Sequence, residues 1–332
     1  MDRMQSTRNK LIHLLANSNS QYVSGQMLSE KLNISRSAVW KQMKNLEKAG
    51  YKLDAKPNQG YRILSYPDDV SEYTLQWGLE TEWIGKKIIH KESTTTTQFD
   101  AHQLAQENYE HGTIVIADKQ TKGKGRRNRP WHSSNKQGVW MSIILRPKIP
   151  PYRAPQLTLL TATALAEVIH KHIGVRPQIK WPNDILINGQ KTAGILTEMQ
   201  AEQDQVQYVV IGIGLNVNQM KQDLPEKIGY RATSLRIETN KEWDLKEIIQ
   251  HILKSFEKHY TSYIDNGFDN IKKDWEKYSY KIGESIWLKN EQGRNQVIFL
   301  GLDENGALLI KDEKNEVKSI YSAEIDWFKG DK

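Results

Sequence analysis

Apolar side chains recur at helical spacing through residues 8–46 of this chain and then alternate over 51–64, and that change of period limits the N-terminal fold more than any other feature. Leu11, Ile12, Leu14 and Leu15 give residues 8–16 an apolar stripe, which the polar run from Asn17 to Gln21 ends. Ser24 caps a second helix with Met27, Leu28 and Leu32 facing inward, and the Asn33-Ile34 turn leads to Ser35, the cap of a third. On that third helix Val39, Met43 and Leu46 form the buried edge, which leaves Arg36, Ser37, Trp40, Lys41 and Lys44 outward. After Gly50, runs at 51–55 and 60–64 flank Lys56-Pro57-Asn58-Gln59, which is hairpin chemistry. The segment reads as a helix-turn-helix followed by a wing, and residues 65–70, with Pro67, Asp68 and Asp69, read as a linker.

Charge points the same way. Residues 1–66 hold eleven Lys and Arg against four Asp and Glu, so the whole net charge of +7 sits there, and the other 36 basic and 36 acidic residues cancel. A basic module on a neutral body is the footprint of a phosphate-backbone binder, because neutralised phosphates release condensed counterions. Helix-turn-helix modules also serve protein contacts. Here the wing, the capped third helix and the charge excess coincide, and DNA is the favoured partner.

The chain has 332 residues and no cysteine, which allows two or three self-sufficient domains and excludes disulfides, a thiolate nucleophile and cysteine-based metal sites. Residues 1–8 are polar and no apolar run is long enough to span a bilayer, so the expectation is a cytoplasmic protein with no membrane partner.

From 83 to 237, β-rich runs at 114–117, 139–145, 178–180, 185–187 and 207–217 mix with helices near 101–109 and 156–172, which predicts an α+β domain with a mixed sheet. Between Lys119 and Trp131 six basic side chains and two glycines occur with no acid. Such a run repels itself unless an anion arrives, and Gly123 and Gly125 let the backbone bend around it. Its spacing fails the phosphate-loop pattern, which excludes an ordinary P-loop kinase or ATPase. A nucleic-acid-binding or solvated basic loop fits the composition equally well. Residues 180–199 read as strand, Asn188-Gly189 turn and strand, with Lys191 after the turn, Asp184 near it across the hairpin, and Gly194 where a ligand could approach the backbone. Gly212-Ile213-Gly214 lacks the third glycine and the helical stripe of a dinucleotide fingerprint. His170 and His172 are two apart, off the spacing of a helical metal pair. Residues 243–263 form an amphipathic helix with Leu245, Ile248, Ile249, Ile252, Leu253 and Phe256 as packing positions, and short β runs between 285 and 321 predict a small barrel.

Lys122–Trp131 (KGKGRRNRPW), Lys180–Asp184 (KWPND), Lys191–Leu196 (KTAGIL) and Gly212–Asn218 (GIGLNVN) stand in the order and at the spacing of biotin protein ligases. The N-terminal module is similar to that of bifunctional ligases that also repress biotin operons, and the resemblance spans essentially the whole chain. It implies a winged helix-turn-helix at 1–66, a class II synthetase-like ligase domain at 67–277 and an SH3-like β-barrel at 278–332. It implies ATP-dependent activation of biotin to biotinyl-5′-AMP, transfer to a lysine of a biotin carboxyl carrier protein (of acetyl-CoA carboxylase or pyruvate carboxylase), and repression of biotin genes by an adenylate-bound homodimer on a two-fold operator. ATP and Mg²⁺ are the implied cofactors, and biotin, through its adenylate, the co-repressor.

Residue by residue, the resemblance places biotin on Thr96, Thr97, Gln98, Gln120, Gly123, Lys124, Gly125, Arg126, Lys191 and Gly194. The nucleotide falls on Arg129, Trp131, Lys191, Asn216, Arg231 and Ala232. Catalysis falls on Lys191, Arg126 and Asp184, the last also a candidate magnesium ligand, and DNA contact on Ser35, Arg36, Ser37, Trp40, Lys41 and Lys44. The sequence departs from the family in having Lys124 for the usual Arg, Thr96 for Ser, and Asn128, next to a variable Arg127, where many relatives have Gly. Two other readings stay open: a regulator that senses biotin or its adenylate without turnover, and a lipoate or octanoate ligase. Lys191, Arg126 and Asp184 together favour catalysis, and the glycine-arginine loop argues against the third reading.

Overall fold

A computed structural model describes residues 2–16, 18, 21–67, 69–224, 231–290 and 293–327. Asn17, Asn19 and Ser20 of the polar run expected to end the first helix, Asp68 of the expected linker, and Phe328 with the residues after it lie outside the described residues. The chain forms two compact units, Met1–Leu79 and Glu80–Lys332.

The first unit contains α1 (Asp2–Ala16), α2 (Gly25–Leu32), α3 (Arg36–Lys48), the hairpin β1 (Lys52–Lys56) and β2 (Gly60–Ser65), and a short α4 (Glu72–Gln76). Helix α1 starts six residues before its apolar stripe, because a helix nucleated by buried Leu11, Ile12 and Leu15 propagates cheaply through polar neighbours. Ser24 Oγ accepts from Met27 N at 3.1 Å and Ser35 Oγ from Ala38 N at 3.1 Å, so both expected caps form. Leu28, Val39, Met43 and Leu46 are buried as expected. Met27 is a correction: it is 48% exposed, because Leu28 and Leu32, four apart, share the inward face of an eight-residue helix that Met27 leaves. The wing packs so closely on the segment before α2 that a Cβ at Gly60 would sit 2.0 Å from Val23 O. Tyr66 is buried, its ring 5.4 Å from Tyr51 and 4.6 Å from Trp77, so residues beyond the wing continue this unit.

In the second unit a seven-stranded mixed sheet has the order β3-β4-β5-β9-β8-β7-β6. Its strands are β3 (Ile88–Lys91), β4 (Ile114–Ala117), β5 (Gly138–Leu145), β6 (Gln178–Lys180), β7 (Asp184–Ile187), β8 (Gln190–Glu202) and β9 (Gln205–Asn216). Only β3 and β4 run parallel; every other pair is antiparallel. Alternation on β8 splits the two faces. Thr197 turns to α6 (Ala154–Val168), receiving a 2.8 Å hydrogen bond from Thr158. On the opposite face α5 (Thr97–Gln106) packs through Ala101 and Ala105 on Val210 and Ile144, covering only part of the sheet. A short α7 (Leu235–Thr239) precedes α8 (Leu245–Asn266), whose Ile248, Ile249, Ile252, Leu253 and Phe256 are buried and whose Leu245 is only partly so. Next comes α9 (Asp269–Lys277), and its Trp275 meets Phe299 of the C-terminal sheet edge-on at 6.5 Å.

That sheet is antiparallel in the order β13-β12-β11-β10-β14, from β10 (Ser285–Asn290), β11 (Gly293–Leu302), β12 (Leu308–Lys311), β13 (Val317–Ile320) and β14 (Glu324–Asp326). Ile286, Val297, Phe299, Leu308, Ile310 and Trp327 form its core. No helix among the described residues is long and apolar enough to cross a membrane.

Candidate active site

The sheet face that α5 leaves open is floored by glycine. Gly194 of β8 pairs with Gly214 of β9, and Gly212 pairs with Leu196, so three positions of one face lack side chains at the centre of the sheet. A Cβ at Gly214 would stand 2.5 Å from Trp131 Nε1, and one at Gly212 2.6 Å from Gln98 Oε1. One at Gly194 would stand 3.2 Å from Trp131 and 3.3 Å from Lys191 Cε. The spaced glycines of Gly212-Ile213-Gly214 thus make room on a strand for an indole and an amide, a function that rejecting the dinucleotide fingerprint did not supply.

Over this floor folds the basic loop. Gly125 N donates to Arg129 O at 2.8 Å and Trp131 N to Gly123 O at 2.8 Å, closing two turns around it. Arg127 and Asn128 both have φ of 55°, the left-handed region, which Asn tolerates better than most residues and which Gly adopts freely. Gly123 is packed inside the loop, where a Cβ would lie 2.4 Å from Ser133 Oγ, so it shapes the loop instead of lining the cavity.

The cavity of about 280 Å³ is slightly smaller than ordinary ligand pockets, roughly 300–1,000 Å³. Of the residues assigned to biotin or nucleotide, Thr96, Thr97, Gln98, Gln120, Lys124, Gly125, Arg126, Arg129, Trp131, Lys191 and Gly194 line it, and so does Asp184. One end is a satisfied polar network. Gln120 Oε1 accepts from Thr97 N at 2.8 Å and its Nε2 donates to Ser133 Oγ at 3.0 Å. Thr97 Oγ1 lies 2.9 Å from Ser142 Oγ, which donates to Gln98 Oε1 at 3.1 Å. Thr96 caps α5 and so fixes where Thr97 and Gln98 begin.

The other end carries charge. Lys191 Nζ is 2.6 Å from Asp184 Oδ1 and 5.2 Å from the centre of the Trp131 ring. Lys180 Nζ approaches the second Asp184 oxygen at 3.5 Å, and Arg126 donates to Asn183 Oδ1 at 3.2 Å. The hairpin β7–β8 therefore brings Asp184 to Lys191 as its spacing implied, and the carboxylate is engaged by ammonium groups. Among the described residues no group of three His, Asp or Glu gathers to hold a metal.

Asn216, Arg231 and Ala232 stand behind the cavity, outside its lining. Lys191 N donates to Arg231 O at 2.8 Å, Thr233 N to Lys191 O at 2.9 Å, and buried Asn216 to Thr233 O at 3.0 Å. They hold the Lys191 backbone. Sequence reasoning missed Ser142, Asn183, Gly212 and Gly214, and Ala323, Ile325 and Trp327 from the C-terminal sheet, all of which line the cavity. The glycine alternation was a usable signal; the C-terminal residues carried none.

In the first unit, Ser37, Trp40, Lys41 and Lys44 of α3 are exposed, with Trp40 at 57%. Ser35 is spent as the helix cap, Arg36 donates to Gln26 at 2.8 Å, and Lys44 pairs with Glu47 at 2.7 Å.

A sequence profile of the Biotin/lipoate A/B protein ligase family matches residues 88–216, an HTH domain profile residues 7–62, and a Biotin protein ligase C terminal domain profile residues 281–327. The bifunctional ligase/repressor BirA of Bacillus subtilis (strain 168) is 47% identical over 97% of this chain and 99% of its own length. BirA of Escherichia coli (strain K12) is 26% identical over 92% of each. The biotin protein ligase from Aquifex aeolicus, solved in complex with biotin and ATP, superposes with a TM-score of 0.63 at 32% identity, covering 73% of this chain and 98% of that one. At 47% identity over nearly the full length of both chains, this chain belongs to the BirA family of bifunctional biotin protein ligases and repressors.

Proposed function

We propose that this chain activates biotin with ATP and passes it to a lysine of a biotin carboxyl carrier protein, and that its first unit binds operator DNA in response to the adenylate. The observation that carries the reading is the cavity itself: a neutral hydrogen-bonding end at Gln120, Thr97 and Gln98, and a cationic end at Lys191 and Arg126 beside the Trp131 indole. A small polar ring fits the first and a carboxylate meeting a phosphate fits the second.

The biotin carboxylate oxygen forms a bond to the α-phosphorus of ATP as the bond from that phosphorus to the bridging oxygen breaks, and pyrophosphate leaves. Two anions must approach, so Lys191 and Arg126 offset the charge building on the phosphoryl oxygens, which is electrostatic preorganisation combined with positioning. Asp184 keeps the Lys191 ammonium in place, a positioning role supported by their 2.6 Å separation. Trp131 presents a face to adenine. The carrier lysine amine then attacks the acyl carbon, an amide forms, and AMP leaves without any covalent enzyme nucleophile. Magnesium would neutralise the polyphosphate and be held chiefly by phosphate oxygens, because Asp184, the candidate ligand, is already paired with Lys191 and Lys180.

Repression follows if the adenylate strengthens a homodimer, because two α3 helices then engage a two-fold operator together. Biotin-dependent pyrophosphate exchange into ATP tests the ligase reading: exchange that needs biotin supports it, and exchange with neither biotin nor lipoate overturns it. Operator affinity at fixed salt, with and without biotin plus ATP, tests the co-repressor; equal affinities remove it.

A further inference from the structure

The segment between β3 and α5 touches both chain stretches that build the polar end of the cavity. Thr94 N donates to Lys119 O at 3.2 Å and Thr94 O accepts from Thr121 N at 2.9 Å, a parallel bridge that sets Thr94 beside Gln120. Lys122 N donates to Thr95 O at 2.9 Å and continues the ladder. On the far side Gln120 N donates to Ser133 O at 2.7 Å, but Ser133 belongs to the return of the same loop, so the ladder at Thr94 and Thr95 is what joins the loop to the start of α5.

Thr94 is in turn held by Asp100, a buried carboxylate in the first turn of α5. Asp100 Oδ2 accepts from Thr94 Oγ1 at 2.6 Å, and its Oδ1 lies 2.8 Å from Lys91 Nζ. An acid in a first helical turn ordinarily serves the free amide groups and dipole of its own helix. Here both oxygens turn to the chain that precedes the helix. The partly exposed Lys91 ammonium offsets the charge that burial would otherwise make costly, and leaves Oδ2 to the hydroxyl. The contacts close a ring, because Gln120 Oε1 accepts from Thr97 N at 2.8 Å and Thr97 begins the helix turn that carries Asp100.

We infer that Asp100 is a positioning residue for biotin: through the Thr94 hydroxyl it fixes where the main chain of Gln120 stands relative to α5, and so sets the spacing of the polar end. The Gln120 amide is oriented by Thr97 and Ser133, but those bonds fix only its tip. The cationic end is held from elsewhere, Lys191 by Asp184 and Arg126 by Asn183, which confines the effect of Asp100 to the ring-binding end.

The inference rests on the ligase reading, and its test separates the two. In biotin-dependent pyrophosphate exchange, Asp100→Ala is expected to raise the KM for biotin roughly tenfold, the scale of one charge-assisted hydrogen bond, with kcat and the KM for ATP within about twofold. Thr94→Val, which removes the hydroxyl and keeps the backbone ladder, gives the same rise, and Thr94→Ser, which keeps the hydroxyl, does not. The double variant D100A/T94V is no worse than the poorer single, and D100A/Q120A no worse than Gln120→Ala, because Asp100 acts through both residues. Wild-type protein that shows no exchange overturns the ligase reading and this inference with it. Wild-type exchange with an unmoved biotin KM in Asp100→Ala, or with additive effects in the doubles, overturns this inference alone. A lower melting temperature with the KM values for biotin and ATP changed alike assigns Asp100 to stability and also overturns it. If Asp100→Ala does not fold, the two Thr94 variants decide: a KM rise in Thr94→Val alone supports the inference, and equal KM values in both refute it.

Discussion

Replacing Gly214 with alanine tests the glycine floor directly. Its backbone lies in an ordinary strand, so alanine meets no conformational penalty, and the whole effect comes from the added methyl. That methyl would lie 2.5 Å from Trp131 Nε1 and 2.6 Å from Cε2, against the 3.4 Å of ordinary contact, so the indole must move by roughly 1 Å. The Lys191 ammonium lies 5.2 Å from the ring centre, so a shifted indole changes the surroundings of the reacting charges. A misplacement of about 1 Å can cost on the order of 100-fold in rate, whereas overpacking costs typically about 1–3 kcal/mol of stability. The expected outcome is a 10- to 100-fold fall, by the same positioning argument, in kcat/KM for ATP in pyrophosphate exchange, with cooperative melting retained. Trp131→Ala removes the clash partner, so G214A/W131A should match Trp131→Ala alone. Gly214→Ala with wild-type ATP kinetics would show that the floor does not need to be bare.

Lys191→Ala should lower exchange by about 10²–10³, the effect of losing one preorganised cationic donor, while leaving the Asp184 carboxylate short of a partner; a calorimetric binding titration checks whether biotin affinity falls with it. Although burial opposes the charge, hydrogen bonds from Lys171 and His259 pull the Glu167 carboxyl from its usual value down to about 2. The folded pKa is lowered, so this contribution is present above about pH 4.5 and is lost as pH falls from there toward 2; Glu167→Gln should flatten that part of the melting-temperature profile. Lys41→Ala on the exposed face of α3 should weaken operator binding across all sequences and reduce the salt slope by about 1, measured by titration at several salt concentrations.

Local chemistry made much of this legible beforehand. Ser24 and Ser35 cap because a hydroxyl before an apolar period satisfies free amide groups whatever surrounds it. The strands at 114–117 and 178–180 stand where alternation and β-branching put them, and the Asn188-Gly189 turn sets up the hairpin in which Lys191, opposite Leu186, reaches Asp184 diagonally across a bulge. Short elements with few apolar positions escaped: β3, α4, α9 and β14 owe their form to the cores they complete, since neither periodicity nor propensity accumulates over so few residues.

From the order of its residues alone the chain settles its two kinds of module, its basic loop and the family that loop belongs to, because caps, turns and alternation act over a few neighbours. The third dimension decides which of those residues meet. Glycines on two strands become one floor only when β8 and β9 pair, the C-terminal sheet lends Ile325 and Trp327 to a cavity over a hundred residues earlier in the chain, and His102 finds Glu198 across a packed face. Such contacts depend on how whole elements pack, and no window of sequence contains both partners.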